Sequence, residues 1–133
     1  MGIEIKMLGW AIVLGLVQVM LAAAAVTRER GTAWNASARD GTPPPPGPLA
    51  ARLQRAQANF LETFPFFAAA VLAVVLTQRQ DGSTALAVQL YFWARVVYVP
   101  LYAAGIPYVR SLVWVVSLVG IVLLLWRLLH GLA

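Results

Sequence analysis

A charged segment between Arg52 and Phe67 carries the residues of this sequence that are best suited to chemistry. At 100° per residue, Arg52, Arg55, Asn59 and Glu62 lie within roughly 80° of one another on a helix. The opposite face of the segment is apolar. An ionisable side chain inside a membrane helix is costly and normally faces a bundle interior or a wet cavity. We therefore predict a functional site on this face, with a structural ion pair between Glu62 and an arginine as the alternative.

A second set of polar residues occurs further along the chain. In the apolar segment 85–104, the tyrosines and one arginine lie within roughly 60° on a helical wheel, and an Arg-Ser pair opens the last apolar segment. Tyrosines at membrane depth more often serve packing or the interface, but their alignment with an arginine favours a site. The second stripe consists of Tyr91, Arg95, Tyr98 and Tyr102, and the pair is Arg110 and Ser111.

These residue types indicate an anion site at one end of a helical bundle. Guanidinium groups bind carboxylates or phosphates through paired hydrogen bonds, and a carboxylate such as Glu62 can hold a ligand ammonium or fix an arginine. A ligand with two carboxylates and one amine would match this set. Since the sequence contains no cysteine, any thiol must come from a substrate, and a thiolate metal site is excluded. We predict no metal site.

Composition places the chain in a membrane. Of its 133 residues, 61% are hydrophobic and 11% are charged, and the mean hydropathy is +0.77, which leaves too few polar residues to cover a soluble globule. The net charge is +5, but the basic residues form no continuous run. They therefore indicate anionic lipid or an anionic small molecule as partner and argue against nucleic acid.

Four apolar segments are long enough to span the hydrocarbon, each having about 20 residues. A cleaved signal peptide is the alternative for the first, but its flank is not net positive and its apolar run is too long for a signal core. We predict an all-α integral membrane protein with a four-transmembrane-helix antiparallel bundle in a single domain, 1–133. The expected helices are about 5–27, 49–77, 84–105 and 109–130, with one long loop at 28–48.

The distribution of basic residues predicts the orientation. Loops on the cytoplasmic side of membrane proteins carry an excess of lysine and arginine. The end that holds the predicted site has more of them, so we expect it to be cytoplasmic and both termini to lie away from the cytoplasm. The site end has Arg28, Arg30, Arg39, Arg52, Arg55 and Arg110, against Lys6, Arg79 and Arg127 at the other end.

The sequence resembles the MAPEG family, the membrane-associated proteins in eicosanoid and glutathione metabolism, and in particular its bacterial-type members. The resemblance rests on R-x-x-R-A-x-x-N-x-x-E followed by Pro-Phe, on A-R-x-x-Y-x-x-x-Y, and on the R-S pair that opens helix four. The four spans, the long first loop and the short last hairpin extend it over most of the chain.

The resemblance implies a homotrimer in a bacterial inner membrane, with glutathione as co-substrate between neighbouring protomers near the cytoplasmic face. Arg110 and Ser111 would face the thiol and act as catalytic residues. The implied activity is that of a microsomal-type glutathione transferase or peroxidase, acting through the thiolate on a lipophilic small molecule that arrives from the bilayer. The glutathione-binding residues would be Arg52, Arg55, Asn59, Glu62, Arg95, Tyr98 and Tyr102.

Two other functions remain open from the sequence. One is a non-catalytic membrane scaffold or assembly protein, in which the polar stripe ties protomers together. The other is a small multidrug-type transporter, which would also be a four-helix oligomer with a membrane carboxylate. A proton-coupled carboxylate should be central and free of arginine partners, whereas Glu62 lies in an arginine-rich stripe, which argues against transport.

Overall fold

Four long helices make up most of the described part of the chain. The computed structural model describes residues 2–33, 37–38, 40–41 and 45–130. All four helices are long and apolar enough to cross a membrane, as predicted, since an apolar run of about 20 residues satisfies its backbone hydrogen bonds internally. The helices are α1 (Ile3–Arg30), α2 (Pro48–Leu76), α3 (Gly82–Ala103) and α4 (Tyr108–Leu129).

Local signals set the ends of these helices. Helix α1 continues to Arg30, beyond the expected end at residue 27, because the first residue to break it is Gly31, whose φ is 89°. Helix α3 ends at Ala103, before Gly105, whose φ is 74°. Such positive φ values favour glycine, which has no Cβ to clash.

The helices alternate in direction, as contacts at both ends demonstrate. At one end, which we call the arginine end, α1 finishes, α2 begins with its arginines and the α3–α4 turn lies between helices. There Arg52 Nη1 donates to the carbonyl oxygen of Ala103 at 3.4 Å. At the opposite end, Thr84 Oγ1 at the start of α3 is 3.1 Å from Oε2 of Glu4 in α1.

The connection from α1 to α2 is closed by a carboxylate. Both oxygens of Glu29 accept from the backbone N–H of Gly47, at 3.1 and 3.0 Å. Gly47 is the N-cap of α2 and has no side chain to cap it, so Glu29 supplies negative charge where the helix dipole favours it. Parts of the expected loop, residues 34–36, 39 and 42–44, lie outside the described residues, and Arg39 of the basic count is among them.

The turn between α2 and α3 is held to the end of α4. Asp81 caps α3 by accepting from the backbone N–H groups of Ser83 and Thr84, and its other oxygen lies 3.0 Å from Nε of Arg127. Hydrogen bonds, first that from the Ser83 side chain, lower the pKa of Asp81, and the charge of Arg127 adds to this. Arg79 donates in turn to the carbonyl oxygen of Leu128.

All four helices contribute buried side chains to the core, and the contacts of α3 with α2 and α4 illustrate its packing. The rings of Phe67 and Tyr91 stack with centroids 4.0 Å apart, and Thr63 Oγ1 lies 3.0 Å from the Tyr91 hydroxyl. On the other side of α3, Gly120 allows close contact with α4. A Cβ on Gly120 would lie 2.6 Å from the carbonyl oxygen of Ala87, so the two backbones can approach only because Gly120 has none.

Gly120→Ala should therefore destabilise the protein. A methyl group against a backbone carbonyl must push α3 and α4 apart, and such overpacking costs about 1–3 kcal/mol. Gly9→Ala is the matched control, because a Cβ there would meet no atom within 4 Å. The measurement is the aggregation temperature in detergent. Equal temperatures for the two variants would contradict the close contact between α3 and α4.

Candidate functional site

The polar stripe of α2 faces the turn between α3 and α4. The guanidinium of Arg52 lies against Gly105, where a Cβ would be 3.0 Å from Cζ of the arginine. The positive φ of Gly105 allows the turn after α3, and its lack of a side chain leaves room for the guanidinium of Arg52. Together with its bond to Ala103, this contact fixes Arg52 at the entrance of the site.

Tyr102 connects the arginines of two helices. Its hydroxyl oxygen accepts from Nε of Arg55 at 3.2 Å. The guanidinium of Arg110, from α4, lies over the Tyr102 ring with Cζ 4.5 Å from the centroid, and Cζ of Arg55 is 5.7 Å from it. Since a ring face attracts cations, one tyrosine holds two guanidinium groups near each other without neutralising either.

Two cavities adjoin these residues. The first, which we call the arginine cavity, has a volume of about 340 Å³. The second, which we call the side cavity, has a volume of about 220 Å³. Arg110 lines both of them. The arginine cavity is lined by Arg52, Arg55, Tyr102, Gly105, Ile106, Pro107 and Arg110, and the side cavity by Asn59, Tyr98, Arg110, Ser111 and Trp114.

Arg95 lies behind the side cavity and does not line it. It is 1% exposed, and its Nη1 donates to Oδ1 of Asn59 at 2.9 Å. Its Cζ is 4.3 Å from the ring centroid of Tyr98 and 5.6 Å from that of Phe60. Nε and Nη2 of Arg95 have no hydrogen-bond partner in the described part of the chain. The buried guanidinium of Arg95 is thus separated from the side cavity by one side chain. One amide oxygen and two aromatic rings stabilise its positive charge.

The other predicted site residues lie in different places. Ser111 is exposed and lines the side cavity, where its hydroxyl is 3.5 Å from the carbonyl oxygen of Pro107. Tyr91 lies deeper, in the core. Glu62 is exposed and lines neither cavity, although its negative charge acts on the nearby Arg95. Across the described ranges, Glu62 forms no ion pair, with Arg55 or with any other residue.

Sequence reasoning missed part of the lining. Ile106 and Pro107 belong to the arginine cavity, and Trp114 belongs to the side cavity. Trp114 follows Ser111 by three residues, so the helical period could have placed both side chains on one face. The turn residues could not be recognised from the sequence, because their side chains are apolar and they contribute only their shape and their backbone to the cavity.

The arrangement can bind anions. Three arginines line the arginine cavity without an acidic neighbour among its lining residues, and guanidinium groups bind carboxylate or phosphate oxygens in pairs. The side cavity adds an amide, two hydroxyls and an indole. Within the residues the structure covers, no group of three histidine, aspartate, glutamate or cysteine side chains could hold a metal ion.

Asn59→Leu should destabilise the protein through Arg95. The substitution removes the acceptor of a buried guanidinium, and an unsatisfied buried donor costs about 1–3 kcal/mol, or more when it is charged. Asn59→Asp is the control, because it keeps the shape and an acceptor oxygen. Thermal unfolding in detergent should show a lower midpoint for the leucine variant than for the aspartate variant. The same midpoint in both would show that Arg95 does not depend on Asn59.

Comparison with known proteins assigns the chain to a family. The sequence pattern of the MAPEG family matches residues 7–130, nearly the whole chain. Comparison with curated proteins gives no match. The matched range contains every residue that lines the two cavities, and the four membrane helices agree with a membrane bundle. The chain therefore belongs to the MAPEG family, multi-pass membrane proteins of glutathione and eicosanoid metabolism.

Proposed function

We propose that this protein binds glutathione at the two cavities and conjugates it to lipophilic electrophiles. The observation that carries the proposal is that Arg110 lines both cavities. Glutathione has two carboxylates at its ends and a thiol between them. With its carboxylates on Arg52 and Arg55 in the arginine cavity, its thiol would enter the side cavity beside Arg110.

Thiolate activation is the proposed chemistry. Positive charge and hydrogen-bond donors near sulfur favour the thiolate, which is the nucleophile. Arg110 would supply the charge, and Ser111, which shares the side cavity with it, would donate a hydrogen bond. Tyr102, which lines the arginine cavity, is the other candidate donor for a thiol nearer that cavity, because a phenol hydroxyl can donate as well as accept a hydrogen bond.

The step itself requires no further cofactor. The thiol proton passes to solvent, the sulfur attacks an electron-poor carbon, a carbon–sulfur bond forms and the leaving group departs with its electron pair. In a peroxidase-like reaction the same thiolate would attack the terminal oxygen of a lipid hydroperoxide, and the O–O bond would break to release the lipid alcohol. A second glutathione would then reduce the resulting sulfenic acid, giving glutathione disulfide and water. Arg95 supports the site at a distance, since its charge is held behind Asn59 and Tyr98.

We further propose that the protein is a homotrimer. Helix α2 exposes Glu62 and, one turn further on, Phe66, which is 68% exposed. A carboxylate on a lipid-facing surface is costly, so such residues normally face protein or a wet cavity. A neighbouring protomer on this face would shelter Glu62 and bring it toward the ligand amine.

The proposed setting is a bacterial inner membrane with the arginine end toward the cytoplasm, where glutathione is abundant. Arginines crowd this end of the bundle, whereas the opposite end has fewer basic residues. The positive-inside tendency supports this orientation. The lipophilic acceptor would reach the thiolate from the bilayer.

Two arginine variants should separate binding from chemistry. Arg110→Ala should lower kcat for conjugation to a chlorinated dinitrobenzene by roughly 10²-fold, because charge on sulfur develops only as the thiol ionises. Arg52→Ala should instead raise the Kd for glutathione by roughly tenfold, since it removes a charge-assisted hydrogen bond. Arg28→Ala is the matched control, because Arg28 is exposed at the end of α1 and lines neither cavity.

The measurements are a glutathione titration in detergent and an ultraviolet difference spectrum for the thiolate. No saturable binding at millimolar glutathione in the wild-type protein would refute the proposal and favour a scaffold role. Binding without a thiolate signal would mean a glutathione-binding protein without activation.

Glu62→Gln should weaken the assembly. If Glu62 is paired in a dry interface between protomers, loss of its charge leaves the partner uncompensated at a cost of roughly 3–5 kcal/mol. Asp40→Asn changes the same charge in the exposed loop and is the control. Native mass measurement in mild detergent should give a trimer for the wild type and the control, and smaller species for Glu62→Gln. A stable monomer or dimer in the wild-type protein would contradict the homotrimer.

A further inference from the structure

The rim of the arginine cavity is apolar and exposed. The cavity is lined by Ile106 and Pro107 of the α3–α4 turn. The residues that follow begin α4, and among them Tyr108 is 84% exposed, Leu112 is 68% exposed and Val109 is half exposed. Because these residues lie where a membrane helix ends, their side chains stand at the boundary between hydrocarbon and headgroups.

The first turn of α4 adds positive character to this boundary. Its N-cap, Pro107, has no side chain that caps the helix, and the first bond of the helix runs from the Ser111 N–H to the Pro107 carbonyl. The N–H groups of the residues between them therefore have no acceptor within the helix. Helix N-termini with open N–H groups attract anions, and this one lies beside three guanidinium groups.

The charge in the cavity is uncompensated by any residue that lines it. The protein partners of Arg52 and Arg55 are a carbonyl and a phenol oxygen, and Arg110 lies over a ring. These partners leave a net positive charge of three guanidinium groups at the membrane surface. Basic pockets between membrane helices are suited to anionic lipid headgroups, and phosphate oxygens match paired guanidinium donors.

We propose that the arginine cavity binds the phosphate headgroup of an anionic phospholipid, whose acyl chains lie along the exposed apolar residues at the start of α4. The positive charge of the three arginines would attract the phosphate. The exposed apolar residues beside the cavity would favour a lipid over a soluble phosphate. One consequence rests on the proposed function: because the lipid phosphate and the glutathione carboxylates use the same guanidinium groups, anionic lipid competes with glutathione.

The first experiment measures lipid binding without glutathione. Fluorescent phosphatidylglycerol is titrated into the detergent-solubilised protein, with fluorescent phosphatidylcholine as the uncharged comparison. Phosphatidylglycerol should bind at least tenfold more tightly, and Arg55→Gln should weaken it about tenfold, which corresponds to one charge-assisted hydrogen bond. Arg28→Gln removes the same charge at the same end of the bundle, outside the cavity, and should leave binding within about twofold of the wild type.

A second variant keeps the test independent of the arginines. Leu112→Ser should weaken phosphatidylglycerol binding and leave the affinity for inorganic phosphate alone unchanged, because Leu112 is exposed at the start of α4 and lines neither cavity. Thermal unfolding and gel filtration establish that each variant is folded before it is scored.

Three results would overturn the proposal. Equal binding of phosphatidylglycerol and phosphatidylcholine would exclude headgroup selection. Equal losses in Arg55→Gln and Arg28→Gln would indicate diffuse attraction by the basic surface. Displacement of the lipid by inorganic phosphate at the same concentration as the lipid itself would assign the cavity to soluble phosphates.

The competition is tested separately. The Kd for glutathione in nanodiscs should rise severalfold when phosphatidylglycerol replaces part of the phosphatidylcholine. Lipid binding without any glutathione binding would refute the proposed function and leave this inference standing. Glutathione binding without lipid selectivity would do the reverse.

Discussion

Compensation of buried positive charge by neutral partners is the constraint on which this site depends. Arg95 is buried, yet its contacts are the amide of Asn59 and the rings of Tyr98 and Phe60. A carboxylate in place of the amide would satisfy the guanidinium better and would also cancel its charge. Neutral hydrogen-bond acceptors and ring faces satisfy the donors in part and keep the positive potential available to an anion.

The fold maintains this arrangement through close backbone contacts at some distance from the arginines. Gly120 brings α4 against α3, and this contact orients the helix that carries Arg110. At the arginine end, Gly105 leaves room for the Arg52 guanidinium, and Glu29 fixes the N-terminus of α2 through Gly47. Cations repel one another at close range, so only a rigid frame can hold several of them around one phenol ring.

The sequence predicts the helices and the polar faces more fully than it predicts the cavities. A long apolar run in a membrane forms a helix because a helix satisfies its own backbone hydrogen bonds. The helical period groups Arg52 with Arg55, which line one cavity, and Tyr98 with Tyr102, whose ring centroids are 5.6 Å apart. Helical periodicity does not show which neighbouring helix or turn a given helix face contacts. It grouped Glu62 with the arginines, and in the protomer Glu62 is exposed like Arg55 but lines neither cavity, so its place in the site stays a prediction. The two cavities share Arg110 and are lined by residues of α2, α3, α4 and the α3–α4 turn, so their shape depends on how these elements meet, which periodicity does not give.

The positions of the arginines suit them to different roles in the proposed function. A single guanidinium that neutralised a ligand carboxylate would lose much of its influence on a nearby sulfur, because opposite charges at contact distance screen each other. Arg52 and Arg55 line the arginine cavity and not the side cavity, while Arg110 lines both. Under the proposed function, Arg52 and Arg55 would bind the two carboxylates of glutathione, and the charge of Arg110 would remain available to stabilise the thiolate. Arg95, held behind Asn59, would add to the positive potential at the sulfur without touching the ligand. The site could therefore stabilise the thiolate while the ligand carboxylates already occupy the arginine cavity.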